Sequence, residues 1–354
     1  MDVELGLIEG FYGRPWSWEE RRSTIEVLAP YGYRFYLYAP KADAFLRRRW
    51  QEPHPDAQLR RLGELSGAAR SAGVRFGVGL SPYAVHGNFG ASQREALGRK
   101  LDDLDSIGIE DLGILFDDMR GDLSDLADRQ AEIVHWIAAR TRATRLIVCP
   151  SYYTDDPVLD RAFGQRPPGY LRRLGELLDP VIQIFWTGEE VCSREISVGH
   201  LDRVSEEIGR APFLWDNYPV NDGQRMSQYL HLRAFTGRRP EIASRIAAHG
   251  VNPALQATLT RIPALTLAES YRLGDEYAYG AAFLRAAREM VGEPLAKLLR
   301  DDLLILQDVG LDRLGEREGP LRDRYGPIDH PAAREIMAWL DGEYRITDEI
   351  VRTQ

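Results

Sequence analysis

"DLGILFDDMRGDLSDLADRQAEIVHWIAARTRATRLIVCPSYY", residues 111–153, holds the unit on which the fold turns. Leu112 to Phe116 is a short apolar run of the kind that forms a fully buried strand. "DLADRQAEIVHWIAARTR" repeats its apolar residues at helical spacing and opens on an aspartate suited to capping. "RLIVCPSYY", at 145 to 153, is strand-like again. Strand, helix, strand in sequence predicts two parallel strands joined by a crossover.

The same unit recurs along the chain at intervals of roughly 30 to 35 residues. The other strand-like runs are "VELGLIEG" (3–10), "YRFYLYAP" (33–40), "VRFGVGLSP" (74–82), "VIQIFWTG" (181–188) and "PFLWDNYPVND" (212–222), with a fainter eighth near "VNPALQA" (251–257). Amphipathic segments such as "SWEERRSTIEVLAPYG" and "DAQLRRLGELSGAARSAG" lie between them, opening on Ser or Asp and closing on Gly. The period is even, and no dinucleotide fingerprint follows the first run, so the expected fold is a (β/α)8 barrel of the TIM type rather than a doubly wound sheet.

From about residue 264 the strand signal gives way to helical text, "LAESYRLGDEYAYGAAFLRAAREMVG", "EPLAKLLRDDLLILQDVG" and "HPAAREIMAWLDGEYRITDEIV". A polar break at 315–331 separates the last two. The expected organisation is a catalytic barrel over 1–263 and a small C-terminal helical domain over 264–354. That tail is read as packed on the barrel, with a stalk that makes a homodimer as the alternative.

Composition narrows the function. The 354 residues carry 45 Lys plus Arg against 54 Asp plus Glu, a net charge of −9, which argues against a nucleic-acid partner. No run of about 18 apolar residues suggests a membrane span. The two cysteines, Cys149 and Cys192, sit in or beside apolar runs and read as reduced core thiols. The expected compartment is therefore the cytoplasm, with export open to a form carrying a leader. The seven histidines include no i,i+3 or i,i+4 pair that would suggest a metal site. "GVGLSPY" lacks the last glycine of a nucleophile elbow.

In such a barrel the residues closing each strand build the active face. Here they are polar or aromatic: Glu9-Gly10-Phe11-Tyr12, Lys41, Asp117-Asp118, Tyr152-Tyr153, Trp186, and Trp215-Asp216-Asn217 with Asn221-Asp222. Aromatic faces for a pyranose ring, amide and charged partners for hydroxyls, and paired carboxylates together suit a carbohydrate. Two carboxylates about 4 Å apart at an effective dielectric of about 20 repel by about 4 kcal/mol, so one is expected to hold a proton and act as general acid. Adjacent strand residues point to opposite faces, so both aspartates reach one substrate only if the chain bends there. Adjacency also sits badly with one aspartate attacking while its neighbour protonates from across the bond. A nucleophile supplied by the sugar's own 2-acetamido group fits better, with Asp117 holding the acetamido N–H and Asp118 serving as acid and then base.

"GLIEGFYGRPWSWEER" (6–21), "YLYAPKAD" (36–43), "ILFDDM" (114–119), "CPSYY" (149–153), "WTG" (186–188), "WDNYPVND" (215–222) and "VNP" (251–253) resemble, in order, the motifs of the family 84 glycoside hydrolases, the O-GlcNAcases and bacterial β-N-acetylglucosaminidases. The resemblance implies a (β/α)8 barrel and retaining hydrolysis of terminal β-linked GlcNAc through an oxazoline, with neither metal nor organic cofactor. It implies that Asp117 orients the acetamido group and that Asp118 is the general acid/base. Gly10 and Lys41, with Phe11 and Tyr12 in the same first motif, would contact the sugar. Tyr153 and Asn217 would lie around the reaction centre, Trp215 would wall the acetamido pocket, and Asp222 and Asn252 would read the far hydroxyls. The implied substrates are β-GlcNAc glycosides or O-GlcNAc glycoproteins. Two rivals remain: a non-catalytic GlcNAc-binding protein, and a hexosaminidase of cell-wall or glycosaminoglycan fragments.

Overall fold

The computed structural model describes residues 3–347. Eight parallel strands, Leu5–Glu9 (β1), Tyr33–Tyr38 (β2), Arg75–Leu80 (β3), Asp111–Leu115 (β4), Arg145–Cys149 (β5), Gln183–Trp186 (β6), Phe213–Asp216 (β7) and Ala248–Val251 (β8), close into a barrel in sequence order. Leu5 opposite His249 completes the ring between β1 and β8. The outer helices are Trp18–Leu28 (α1), Asp56–Ser71 (α2), Ala91–Ser106 (α3), Leu126–Ala138 (α4), Val158–Phe163 (α5), Tyr170–Leu177 (α6), Val198–Ile208 (α7) and Arg261–Leu273 (α8). The expected (β/α)8 architecture is present. Among the described residues, no helix is long and apolar enough to cross a membrane.

Three local expectations are corrected. The eighth strand lies at 248–251, just before most of "VNPALQA", which instead forms the loop beyond it. Between β7 and β8, where the repeat predicts an outer helix, the described residues form only short 3-10 turns, Met226–Gln228 and Pro240–Arg245. Of the caps, Ser17 accepts from the Glu20 N–H, and Glu20 returns the bond to Ser17. Asp56 sits inside the first turn of α2 behind Pro55, and Asp125 makes no side-chain cap.

An aromatic column fills the barrel and sets the height of the site. Arg145 lies over Phe35 and Phe213 near the strands' amino ends. Phe213 meets Phe185 edge-on at 4.9 Å, and Phe185 meets Trp215 at 5.2 Å. Beneath the column, Glu4, Arg75, Asp111 and Arg145 form a closed set of ion pairs. Charges at this end satisfy one another, so the barrel's floor is held shut while its other mouth stays open.

Past β8, α8 packs on α1, so the expected boundary at 263/264 falls inside a helix of the barrel wall. Tyr279–Val291 (α9) and Glu293–Leu304 (α10) follow, then Glu318–Tyr325 (α11) and Pro331–Leu340 (α12). The polar break at 315–331 thus contains a helix, anchored by buried Leu321 and Tyr325. The helical reading of residues 348–351 lies outside the described residues.

Candidate active site

Asp117 and Asp118 follow β4 directly. The Phe116 N–H donates to the Cys149 carbonyl at 2.9 Å, continuing the ladder one residue past the strand. At Asp118 the backbone turns into the left-handed region, φ +56°. Aspartate tolerates that region better than most residues, though at some strain, and the turn lets consecutive carboxylates face one cavity. The bend that both carboxylates need in order to reach one substrate is made by the second aspartate itself.

The cavity opens at the carboxyl end of the strands, where the active face of such barrels lies. Gly10, Tyr12, Lys41, Asp117, Asp118, Tyr153, Trp215, Asn217, Asp222 and Asn252 all line it. Of the residues to which the family resemblance gives a role, all are gathered there except Phe11. That side chain is buried against Trp16 and only its carbonyl bears on the site, accepting from the Lys41 N–H at 3.1 Å.

Lys41 pairs with Asp117 Oδ2. Burial pushes the Asp117 carboxyl up, but Lys41 and Arg47 outweigh burial and hold it below the usual carboxylate range. Its second oxygen, Oδ1, is buried and has no hydrogen-bond partner among the described residues. Asp118 accepts from the Tyr12 hydroxyl at 2.6 Å and from the Tyr153 hydroxyl at 3.4 Å. Burial, then the charge of Asp118, raises both phenols well above their ordinary value, so they remain donors. Lys41 and Arg47 bring two cations to the aspartate pair and offset the repulsion expected of the two carboxylates alone.

On the opposite wall, Asn217 accepts from Trp215 Nε1 at 3.0 Å and from Asn252 Nδ2 at 2.8 Å, and donates to the Val191 carbonyl. Asn252 Oδ1 accepts from the Gly10 N–H at 3.3 Å. A Cβ at Gly10 would stand 2.1 Å from the Trp215 ring, so only glycine lets the indole close this wall. Asp222 accepts from the Tyr12 N–H at 2.8 Å. Burial is the main cause that pushes its carboxyl up to about 6.

Strand parity sends several of the other strand ends away. Glu9 is fully buried against Arg21 of α1. Trp186 donates to His200 of α7 at 2.9 Å, Tyr152 to the Gly164 carbonyl at 2.5 Å, and Asp216 is held by Arg238 and His249. Asn221 ties the β7 loop to Gln256. The expectation that all these ends converge on the cavity is corrected: alternation along each strand splits them between the barrel interior and the helix layer. The same parity would have found Thr187, next to Trp186, which lines the cavity. Cys149, Val191, Cys192 and Val220 also line it. Both thiols are free, and burial keeps them protonated, Cys192 pushed up to about 12.

The closed parallel barrel is of the TIM-barrel class, and the paired aspartates, aromatic walls and amide donors at its open mouth suit carbohydrate chemistry. The chain belongs to the beta-N-acetylglucosaminidase family, whose model matches residues 5–303. It is 32% identical over 276 residues to Protein O-GlcNAcase of Rattus norvegicus and of Mus musculus, covering 75% of this chain and 30% of theirs. The chain thus spans less than a third of the length of those curated relatives. A solved Thermobaculum terrenum O-GlcNAc hydrolase mutant matches with a TM-score of 0.77 at 28% identity, over 96% of this chain and 80% of that one.

Proposed function

We propose that the protein is a retaining exo-β-N-acetylglucosaminidase acting on GlcNAc carried by Ser or Thr of proteins, through an oxazoline formed by the substrate. The observation that carries this reading is the free Oδ1 of Asp117, a buried acceptor on a residue that lines the cavity. Leaving a buried carboxylate oxygen unpaired is unfavourable, and an acetamido N–H supplies the missing donor. Held anionic by Lys41 and Arg47, Asp117 orients the acetamido group and balances the positive charge that grows on it as its oxygen attacks the anomeric carbon. Asp118, steered by Tyr12 and Tyr153, protonates the departing oxygen and then takes a proton from the water that opens the ring. Gly10, Trp215, Asn217, Asp222 and Asn252 bind and orient the sugar. The names of the relatives support the protein-linked substrate, and the two free thiols suit a reducing compartment such as the cytoplasm.

The test is leaving-group dependence. Asp118→Asn is expected to lower kcat/KM by about 10²–10⁴ on a GlcNAc-Ser peptide and much less on a nitrophenyl glycoside, whose leaving group needs no proton. Asp117→Asn should slow both, and a thiazoline mimic of the oxazoline should inhibit the unmutated protein. Equal losses on both aglycones in Asp118→Asn, or full activity in Asp117→Asn, would overturn the assignment.

A further inference from the structure

Two grooves leave the sugar cavity. One departs past Val191, Cys192 and Asn217. The other departs past Tyr12, Lys41 and Asp118, and runs between Arg47, Arg48 and Tyr83 on one side and Arg120, Asp122 and Phe163 on the other. Only the second contains Asp118. An acid that protonates the glycosidic oxygen must touch it, so the leaving group begins in this second groove.

Its charge runs against that of the chain. The protein carries a net −9, yet Lys41, Arg47, Arg48 and Arg120 gather here against Asp117, Asp118 and Asp122. Lys41 is matched by Asp117 and Arg120 by Asp122. The Arg47 guanidinium is buried and donates to Ser81 and to the Asp118 carbonyl. Arg48 is exposed, has no ion-pair partner among the described residues, and lies 3.9 Å from the centre of the Tyr83 ring. Stacking on Tyr83 fixes that guanidinium along the groove while leaving its N–H groups free for a ligand. The four cations of the groove outnumber its three anions.

We propose that this groove selects peptide aglycones carrying an acidic side chain beside the glycosylated Ser or Thr, with Arg48 as the specificity-determining residue. The inference rests on the proposed hydrolysis of protein-linked GlcNAc. The relatives named for protein substrates favour a peptide over a uronic-acid sugar as the source of the carboxylate.

The experiment compares kcat/KM for two GlcNAc-Ser peptides that differ only by Glu or Gln next to the serine, with a chromogenic β-GlcNAc glycoside alongside. The Glu peptide is expected to be preferred by about fivefold, the scale of one exposed ion pair. That ratio should fall to about one in Arg48→Ala, invert in Arg48→Glu, and shrink for the unmutated protein between about 0.02 M and about 0.5 M salt. The salt arm stands even if a variant fails to fold. Equal rates on the two peptides, or an unchanged ratio in Arg48→Glu, overturn the inference while turnover of the chromogenic glycoside leaves the parent reading intact. Discrimination between a GlcNAc–glucuronate disaccharide and its methyl ester, with none between the peptides, overturns the peptide assignment. No turnover of any β-GlcNAc glycoside overturns both.

Discussion

Gly10 shows how much of the site depends on the absence of one atom. A methyl group there would overlap the Trp215 indole, and the indole is fixed from behind by Phe185 and at its nitrogen by Asn217. Gly10→Ala is expected to raise KM by about tenfold or more and to cost about 1–3 kcal/mol of stability by overpacking, readable by steady-state kinetics and by denaturant melts. Asp222 gives a pH dependence. With its carboxyl pushed up to about 6, it is a carboxylate only above that pH, and the proposed role of accepting from the sugar hydroxyls strengthens there. KM should therefore fall as pH rises through about 6, and Asp222→Asn should remove that limb from a KM-against-pH profile. The acid pair, Lys41, Trp215 and Asn217 were legible in the sequence because each closes a strand with chemistry that a core does not need. The turn at Asp118 and the reach of Arg47 were not, since one is a backbone torsion and the other belongs to a loop that no local pattern places beside β4.

Among elements, the connection from β7 to β8 is the least regular and is held by charge. Arg238 reaches back to Asp216 at the end of β7 and donates to the Ser193 and Arg194 carbonyls, while His249 on β8 closes the same group. Asp216 is buried, and Arg238 then His249 outweigh burial to hold its carboxyl well below the usual range. Arg238→Leu would strand that carboxylate and is expected to destabilise the fold by about 3–5 kcal/mol in urea melts. The barrel itself was legible from seven even runs. The eighth strand was misplaced by a few residues because "AHGV" is short and carries a polar residue, and the α11 turn was hidden by the Gly and Pro residues around it. Period-2 alternation, applied to the strand ends, separates Trp215 from Asp216 and Thr187 from Trp186.

At the scale of the whole molecule, the C-terminal helices reach the rim of the active site. Glu335 of α12 accepts from the Thr258 and Leu259 N–H groups at 2.7 and 2.9 Å, holding the loop that begins at Asn252. Burial pushes its carboxyl up to about 7 despite those donors. The sign follows from the raised value: this group's contribution is fully present below its unfolded range near 4.5 and is lost as pH rises through about 7. Thermal stability should decline between about pH 5 and pH 8 with a slope of up to about 1.4 kcal/mol per unit from this group, and Glu335→Gln should flatten it in melts across that range. Farther on, Ile346 donates its N–H to Ser227, and Glu343 pairs with Arg14, two residues past Tyr12. Nothing local in the tail announces these contacts. They carry a consequence for biosynthesis. The loops bearing Tyr12 and Asn252 are secured by residues near the far end of the described chain, and β1 waits for β8 before it gains its second neighbour. During translation the early strands emerge without those partners, so a ribosome-bound chain cannot close the barrel or secure the rim of the cavity until residues 248–346 have been made.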